Sequence, residues 1–137
     1  MKYVPLIGRF FYSLIFIFAG FSNLVKLSEA SKYAASMGVP APTVAVIISH
    51  LMILAGGLSI LLGYKVKIGS ILLIIFLIPT TLLMHKFWGI KDSQMAQMQM
   101  IMFFKNVAML GGAFIFLYFG SGPLSIEKQA EKKEENA

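Results

Sequence analysis

The stretch that decides the fold is "TVAVIISHLMILAGGLSILLGYKVKIGSILLIIFLIPTTLLMHKFW" (43–88). It holds two apolar runs, 43–63 and 68–88, joined through "GYKVK" (63–67). Each run is close to the ~20 residues that carry a helix across ~30 Å of hydrocarbon. Lipid offers the backbone no hydrogen-bonding partner, so runs of this length are expected to be helical. A link this short leaves one arrangement for the pair, a tight antiparallel hairpin.

Reading outward, a third run precedes the hairpin (4–25) and a fourth follows it (98–119). The chain has 137 residues, of which 58% are hydrophobic and only 13% charged. Soluble domains average about 25% charged residues. The expected fold class is therefore all-α, an integral membrane four-helix bundle running up-down-up-down. Its domains would be a transmembrane unit, 1–122, and a charged cytoplasmic tail, 123–137. Lys2 and Arg9 flank the first apolar run, but no small-x-small site follows "IFAGFSNLVK", so the run reads as an uncleaved span rather than a signal peptide. In the connection "KLSEASKYAASMGVPAP" (26–42), "SEASKYAASM" has helical spacing suited to the membrane surface, and "GVPAP" breaks it. The C-terminal "GSGPLSIEKQAEKKEENA" opens on turn residues, becomes charged, and reads as a frayed, solvated tail.

Composition also excludes function classes. With no cysteine there is no disulfide, thiolate metal site or dithiol chemistry. The net charge of +6 is spread along the chain, which argues against nucleic acid as a partner and for anionic lipid headgroups. Placing the N-terminus inside puts Lys2, Arg9, Lys65, Lys67, Lys128, Lys132 and Lys133 on the inner side. It leaves Lys26, Lys32, Lys86 and Lys91 outside, with Lys105 sunk in the fourth span. That excess predicts a multi-pass protein of the plasma (inner) membrane with both termini in the cytoplasm.

The same alternation gathers the polar groups in the outer half of the bundle. Asn23 falls near the end of span one, His50 about two turns into span two, His85 at the end of span three, and Lys105 and Asn106 about two turns into span four. Residues seven or eleven apart share a helix face. Gln94, Met98, Lys105 and Gly112 form one stripe, and Asp92, Gln99 and Asn106 form its neighbour. On span three Ile78, Thr81, His85 and Trp88 align, with Pro79 as an expected kink. A lysine within a span costs ~2.5–3.5 kcal/mol at the bilayer centre and marks a functional site by default. No carboxylate lies inside any span, so Lys105 has three outlets: pairing with Asp92, snorkelling, or binding an anion or carbonyl. His50 and His85, on adjacent spans at similar depth, have the chemistry of b-type haem ligands. Each is explained as well by a hydrogen bond or a quinone contact, and haem is not the favoured reading. Met95, Met98, Met102 and Met109 lie near one face, where thioethers either bind Cu(I) or simply pack. Trp88 serves either as a belt anchor or as one wall of a planar-ligand site.

Several of these segments carry a family likeness. The chain resembles the DoxX family of small membrane proteins over residues 6–126. The likeness rests on "GRFFYSLIFIFAGFSNL", "GVP", "LAGGLSILLG" (54–63), "TLLMHKFW" (81–88), "FFKNVAMLGG" (103–112) and "GSGPLSI". The resemblance implies a four-helix membrane bundle. It also implies association with redox systems, the family being named after a subunit linked to thiosulfate:quinone oxidoreduction. It carries over His85, Phe87 and Trp88 from one motif and Phe104, Lys105 and Asn106 from the other. Two departures stand out: Ile53 occupies a position that is often glutamate in similar proteins, and Asn23 one that is often lysine.

The expectation is then an accessory subunit of a membrane redox system, without catalytic activity of its own. It would bind a quinone or similar lipophilic head in an outer-half pocket through His85, Trp88, Lys105, Asn106, His50 and Asn23. Its partners would be membrane lipids, subunits of a redox complex and a second copy of itself. The alternatives are a small homodimeric transporter or lipid-handling protein, and a ligand-free assembly factor. Proton-coupled export normally relies on a membrane-embedded carboxylate, which these spans lack.

Overall fold

The computed structural model describes residues 1–137. Six helices follow in order: α1 Val4–Val25, α2 Leu27–Ser36, α3 Pro42–Leu62, α4 Val66–Met84, α5 Ser93–Phe119 and α6 Ile126–Glu135. α1, α3, α4 and α5 are long and apolar enough to cross a membrane. They alternate in direction, so both chain ends lie at one end of the bundle, called here the terminal end. The opposite end, where α2 and the 85–92 connection lie, is the distal end.

The central hairpin forms as its short link requires. Gly63 takes a left-handed conformation (φ 66°) that caps α3, and Lys65 takes another (φ 49°) ahead of α4. The Ser59 hydroxyl clasps this turn, donating to the carbonyls of Tyr64 (2.6 Å) and Lys65 (3.1 Å). Glycine draws the two helices together, since a Cβ on Gly56 would come within 2.8 Å of Leu73 and 3.0 Å of the Gly69 carbonyl. A core of Phe16, Ile53, Ile60, Val66, Leu73, Leu77 and Ala113 runs along the axis. Buried hydroxyls in the spans turn back on their own helix: Ser70 donates to Val66 and Thr81 to Leu77. The outer faces carry exposed Phe, Ile, Leu and Val side chains, the surface that lipid solvates.

Neighbouring helices pack as α1 on α3, α3 on α4 and α4 on α5. The backbones of α1 and α5 approach far less closely, and one side chain spans the gap. The Tyr12 hydroxyl donates to the Met109 carbonyl, and its ring lies 5.0 Å from that of Phe116. Gly112 leaves the space that this ring fills.

Three expectations need correction. The third span stops at Met84 rather than continuing to 88, and residues 85–92 form the connection. The fourth begins at Ser93 rather than 98, because the Asp92 side chain caps the helix by accepting the Met95 N–H at 2.8 Å, and the polar "SQMAQ" turn forms good helix. The C-terminal segment is not frayed from residue 123. Arg9, wholly buried at the terminal end of α1, donates from Nη2 to the carbonyls of Leu124 (2.6 Å) and Pro123 (3.4 Å). The Glu127 N–H donates to the Gly63 carbonyl (3.1 Å), and Ser125 caps α6 by accepting the Lys128 N–H. Beyond this hook α6 is solvated. There Glu131 pairs with Lys128 at 2.8 Å and, chiefly through that hydrogen bond, holds the lysine above its ordinary pKa. Pro79 lies within α4 without ending it.

Candidate functional site

In the distal half the bundle holds a half-open cavity of about 430 Å³. All four spans and α2 contribute to its wall, which is mostly apolar. Ile15, Phe16 and Ala19 come from α1, Val46 and Ile53 from α3, Phe76 and Leu83 from α4, and Met109 from α5. Ala30, Tyr33 and Ala34 of α2 lie across the distal end as a roof.

Five of the six residues singled out from the sequence meet here: Asn23, His50, His85, Lys105 and Asn106. Their hydrogen bonds define what each can still offer. His50 Nδ1 lies 2.9 Å from the Val46 carbonyl, which can only accept, so Nδ1 carries the proton. The Nε2 of the neutral ring is then a bare acceptor. His85 repeats the pattern, with Nδ1 donating to the Gln99 side-chain oxygen at 2.9 Å. Asn23 donates its amide N–H to the Ala19 carbonyl (3.1 Å) and keeps its oxygen free. Asn106 is 4% exposed and borders the cavity, yet its amide makes no hydrogen bond within the protein. The sealed atoms without partners are elsewhere, on Arg9 and Ser31, so the Asn106 amide is reachable from the cavity and keeps its bonding capacity for what enters there.

Lys105 is the strongest local charge. Its ammonium donates to the Met102 sulfur at 3.2 Å, a weak acceptor. The pairing with Asp92 does not form, since that carboxylate caps α5, and the molecule's ion pair is Lys128 with Glu131. Lys105 thus meets the cavity with its charge uncompensated.

Trp88 does not join the site. With α4 ending at Met84 it shares no helix face with His85, and its ring packs edge-to-face on Phe87 (5.3 Å) and Phe103 (6.0 Å). The two histidines are also not level. His50 is thirteen residues from Gly63 and His85 nineteen from Val66, a stagger of about 9 Å along the axis. They do not face each other as a pair of axial haem ligands would. Groups of His, Cys, Asp and Glu suited to holding a metal ion are absent.

The structure adds two residues to those singled out from the sequence: Tyr33 and Thr80 bring hydroxyls to the wall. Ile53, the departure noted above, is 1% exposed and places an apolar side chain at the cavity floor. Tyr33 had a signal in its spacing from Ala30, three residues earlier and on the same side of α2.

A profile of the DoxX family matches residues 4–86, well over half of the chain. The chain belongs to the DoxX family. It is similar to the Escherichia coli (strain K12) inner membrane protein YphA, with 30% identity over 124 residues, 90% of this chain and 88% of that one. It is also similar to the inner membrane protein YqjF of the same organism, 29% identical over 129 residues, covering 93% of this chain and 92% of the relative. No solved structure matches the chain. This DoxX protein is therefore an integral membrane protein whose family match ends at the connection after α4, while Lys105 and Asn106 lie beyond it on α5.

Proposed function

We propose that this DoxX protein binds the head of a quinone, or of a similar lipophilic molecule, in the distal cavity, as an accessory subunit of a membrane redox system. The observation that carries this reading is the pairing of open donors and open acceptors in one apolar chamber. Asn106 and Lys105 present N–H groups, while His50 and His85 present bare Nε2 atoms. Quinone carbonyls accept from the first set, and quinol hydroxyls donate to the second, so both redox forms find partners. The volume lies within the 300–1,000 Å³ common for small-molecule sites, and apolar walls with a few polar groups are their usual lining. The bound group supplies the redox chemistry, because the chain has no thiol.

The lysine count favours an inner-membrane placement with the termini in the cytoplasm and the cavity near the outer surface. Labelling of the C-terminus in intact and opened cells checks this. The ligand itself is tested by extracting the purified protein with organic solvent and reading the extract by mass spectrometry. Stoichiometric quinone supports the proposal. A stoichiometric phospholipid transfers the assignment to lipid handling, and an empty extract leaves an assembly factor. Lys105→Ala is expected to lose the co-purifying quinone while the protein still inserts and elutes as the wild type does. If the variant fails to fold, the lysine is structural.

A further inference from the structure

We infer that the cavity is loaded sideways from the lipid, through a slot between α1 and α5, by a single-chain amphiphile whose ring-sized head enters while its chain stays in the membrane. The head chemistry rests on the reading above; the slot rests on the fold alone.

α2 narrows the aqueous route without sealing it, Tyr33 of its cavity wall being 47% exposed. α2 lies across the distal end, packed on α3, with Ala34 5% and Ser31 9% exposed, and supplies three cavity-lining residues. Around the bundle three of the four seams pack helix on helix, although the distal part of the α3–α4 seam carries a smaller groove along Ala45, Ser49, Phe76, Pro79 and Thr80 that adjoins the cavity. The fourth, α1 against α5, is pinned toward the terminal end by Tyr12, through Met109, Phe116 and the space at Gly112. Distal to that pin, α1 presents Ile15, Ala19 and Asn23 to the chamber, and α5 presents Lys105 and Asn106. Ile15 and Lys105 line the cavity and are also exposed on the outer surface, as residues at a mouth are; Tyr33, Pro79 and Leu83 share that property on α2 and α4, but Lys105 alone among these brings a charge.

The charge pattern fits such a mouth. Lys105 stands at the lip with only the Met102 sulfur as partner, and no span contributes a carboxylate. A cation so placed draws in an electron-rich head, and Asn106, one residue on and buried, receives it further inside. Size sets the rest of the class. A chamber of about 430 Å³ takes a ring and the first part of a chain, and a long or second chain has to remain outside.

The test uses two photo-probes on the full-length protein in lipid nanodiscs. One is a benzoquinone carrying a decyl chain with a terminal diazirine; the other has the same chain with a carboxylate head. Labelled residues are mapped by peptide mass spectrometry, with unlabelled head-bearing compound as competitor. Competable adducts of the quinone probe on residues 11–19 of α1 and 101–109 of α5 support the slot. The same adducts from the carboxylate probe alone support the slot and overturn the quinone reading. Competable adducts on α2, on residues 86–92 or along the α3–α4 groove (residues 45–52 and 75–80) overturn the slot and leave the quinone reading standing. No competable adduct from either probe overturns both. Ala19→Trp, which overfills the slot, should cut slot labelling about tenfold. Labelling unchanged in a folded Ala19→Trp variant also overturns the route.

Discussion

The two ends of the bundle handle buried polar groups in opposite ways. At the terminal end a buried guanidinium is wrapped by the chain itself: Arg9 holds the Pro123 and Leu124 carbonyls, Gly63 gives it room, and Glu127 ties the tail back to Gly63. At the distal end Lys105 and Asn106 receive almost nothing from the protein and look into a chamber. The first arrangement is sealed, with Nη2 bonded and Nε and Nη1 buried without partners, and it ties the tail to the bundle. The second is open and keeps its bonding capacity for something else.

The largest expected effect probes the closed end. A Cβ at Gly63 would collide with the Arg9 guanidinium and with Ser125, at a residue whose φ of 66° already disfavours any side chain. Gly63→Ala should therefore lose about 2–4 kcal/mol, read as the unfolding midpoint in detergent. A loss below 1 kcal/mol would remove the rigid half of the contrast. The open end should respond differently. Asn106→Leu replaces a cavity-facing amide that has no protein partner with an apolar side chain of similar size, so stability should hold to within about 1 kcal/mol. Quinone affinity should fall about tenfold, measured by titration in nanodiscs. Destabilisation by Asn106→Leu would mean the amide is structural. Asp92→Ala removes the cap of α5 and should cost about 1 kcal/mol without touching the cavity. Glu131→Gln breaks a solvent-exposed pair on α6 and should leave the unfolding midpoint where it is.

Much of this contrast was legible in the sequence, unevenly. Span length and the five-residue "GYKVK" link determine the hairpin, since lipid leaves the backbone few choices. Alternating crossings then bring Asn23, His50, His85, Lys105 and Asn106 to one end whatever the details of packing. Trp88 was misplaced because its assignment extended helical periodicity past Met84. The Asp92 cap, with polar but helix-forming residues after it, was the available signal that α5 begins early. The Arg9 clasp left no such trace. Its partners are carbonyls more than a hundred residues away, aimed by left-handed turns at Gly120, Gly122 and Leu124 that carry no periodic signature.

The length of α5 has a consequence of its own. Its 27 residues extend about 40 Å, against about 28 Å for the 19 residues of α4 and ~30 Å of hydrocarbon. The polar first turn stands beyond the hydrocarbon, and the apolar part, 98–119, runs about 33 Å; the small excess is relieved by tilting, so the lean of α5 follows the thickness of the surrounding bilayer. With Tyr12 as the pivot, a change in lipid acyl length would alter the gap at Ile15 and Lys105 without any change in the protein.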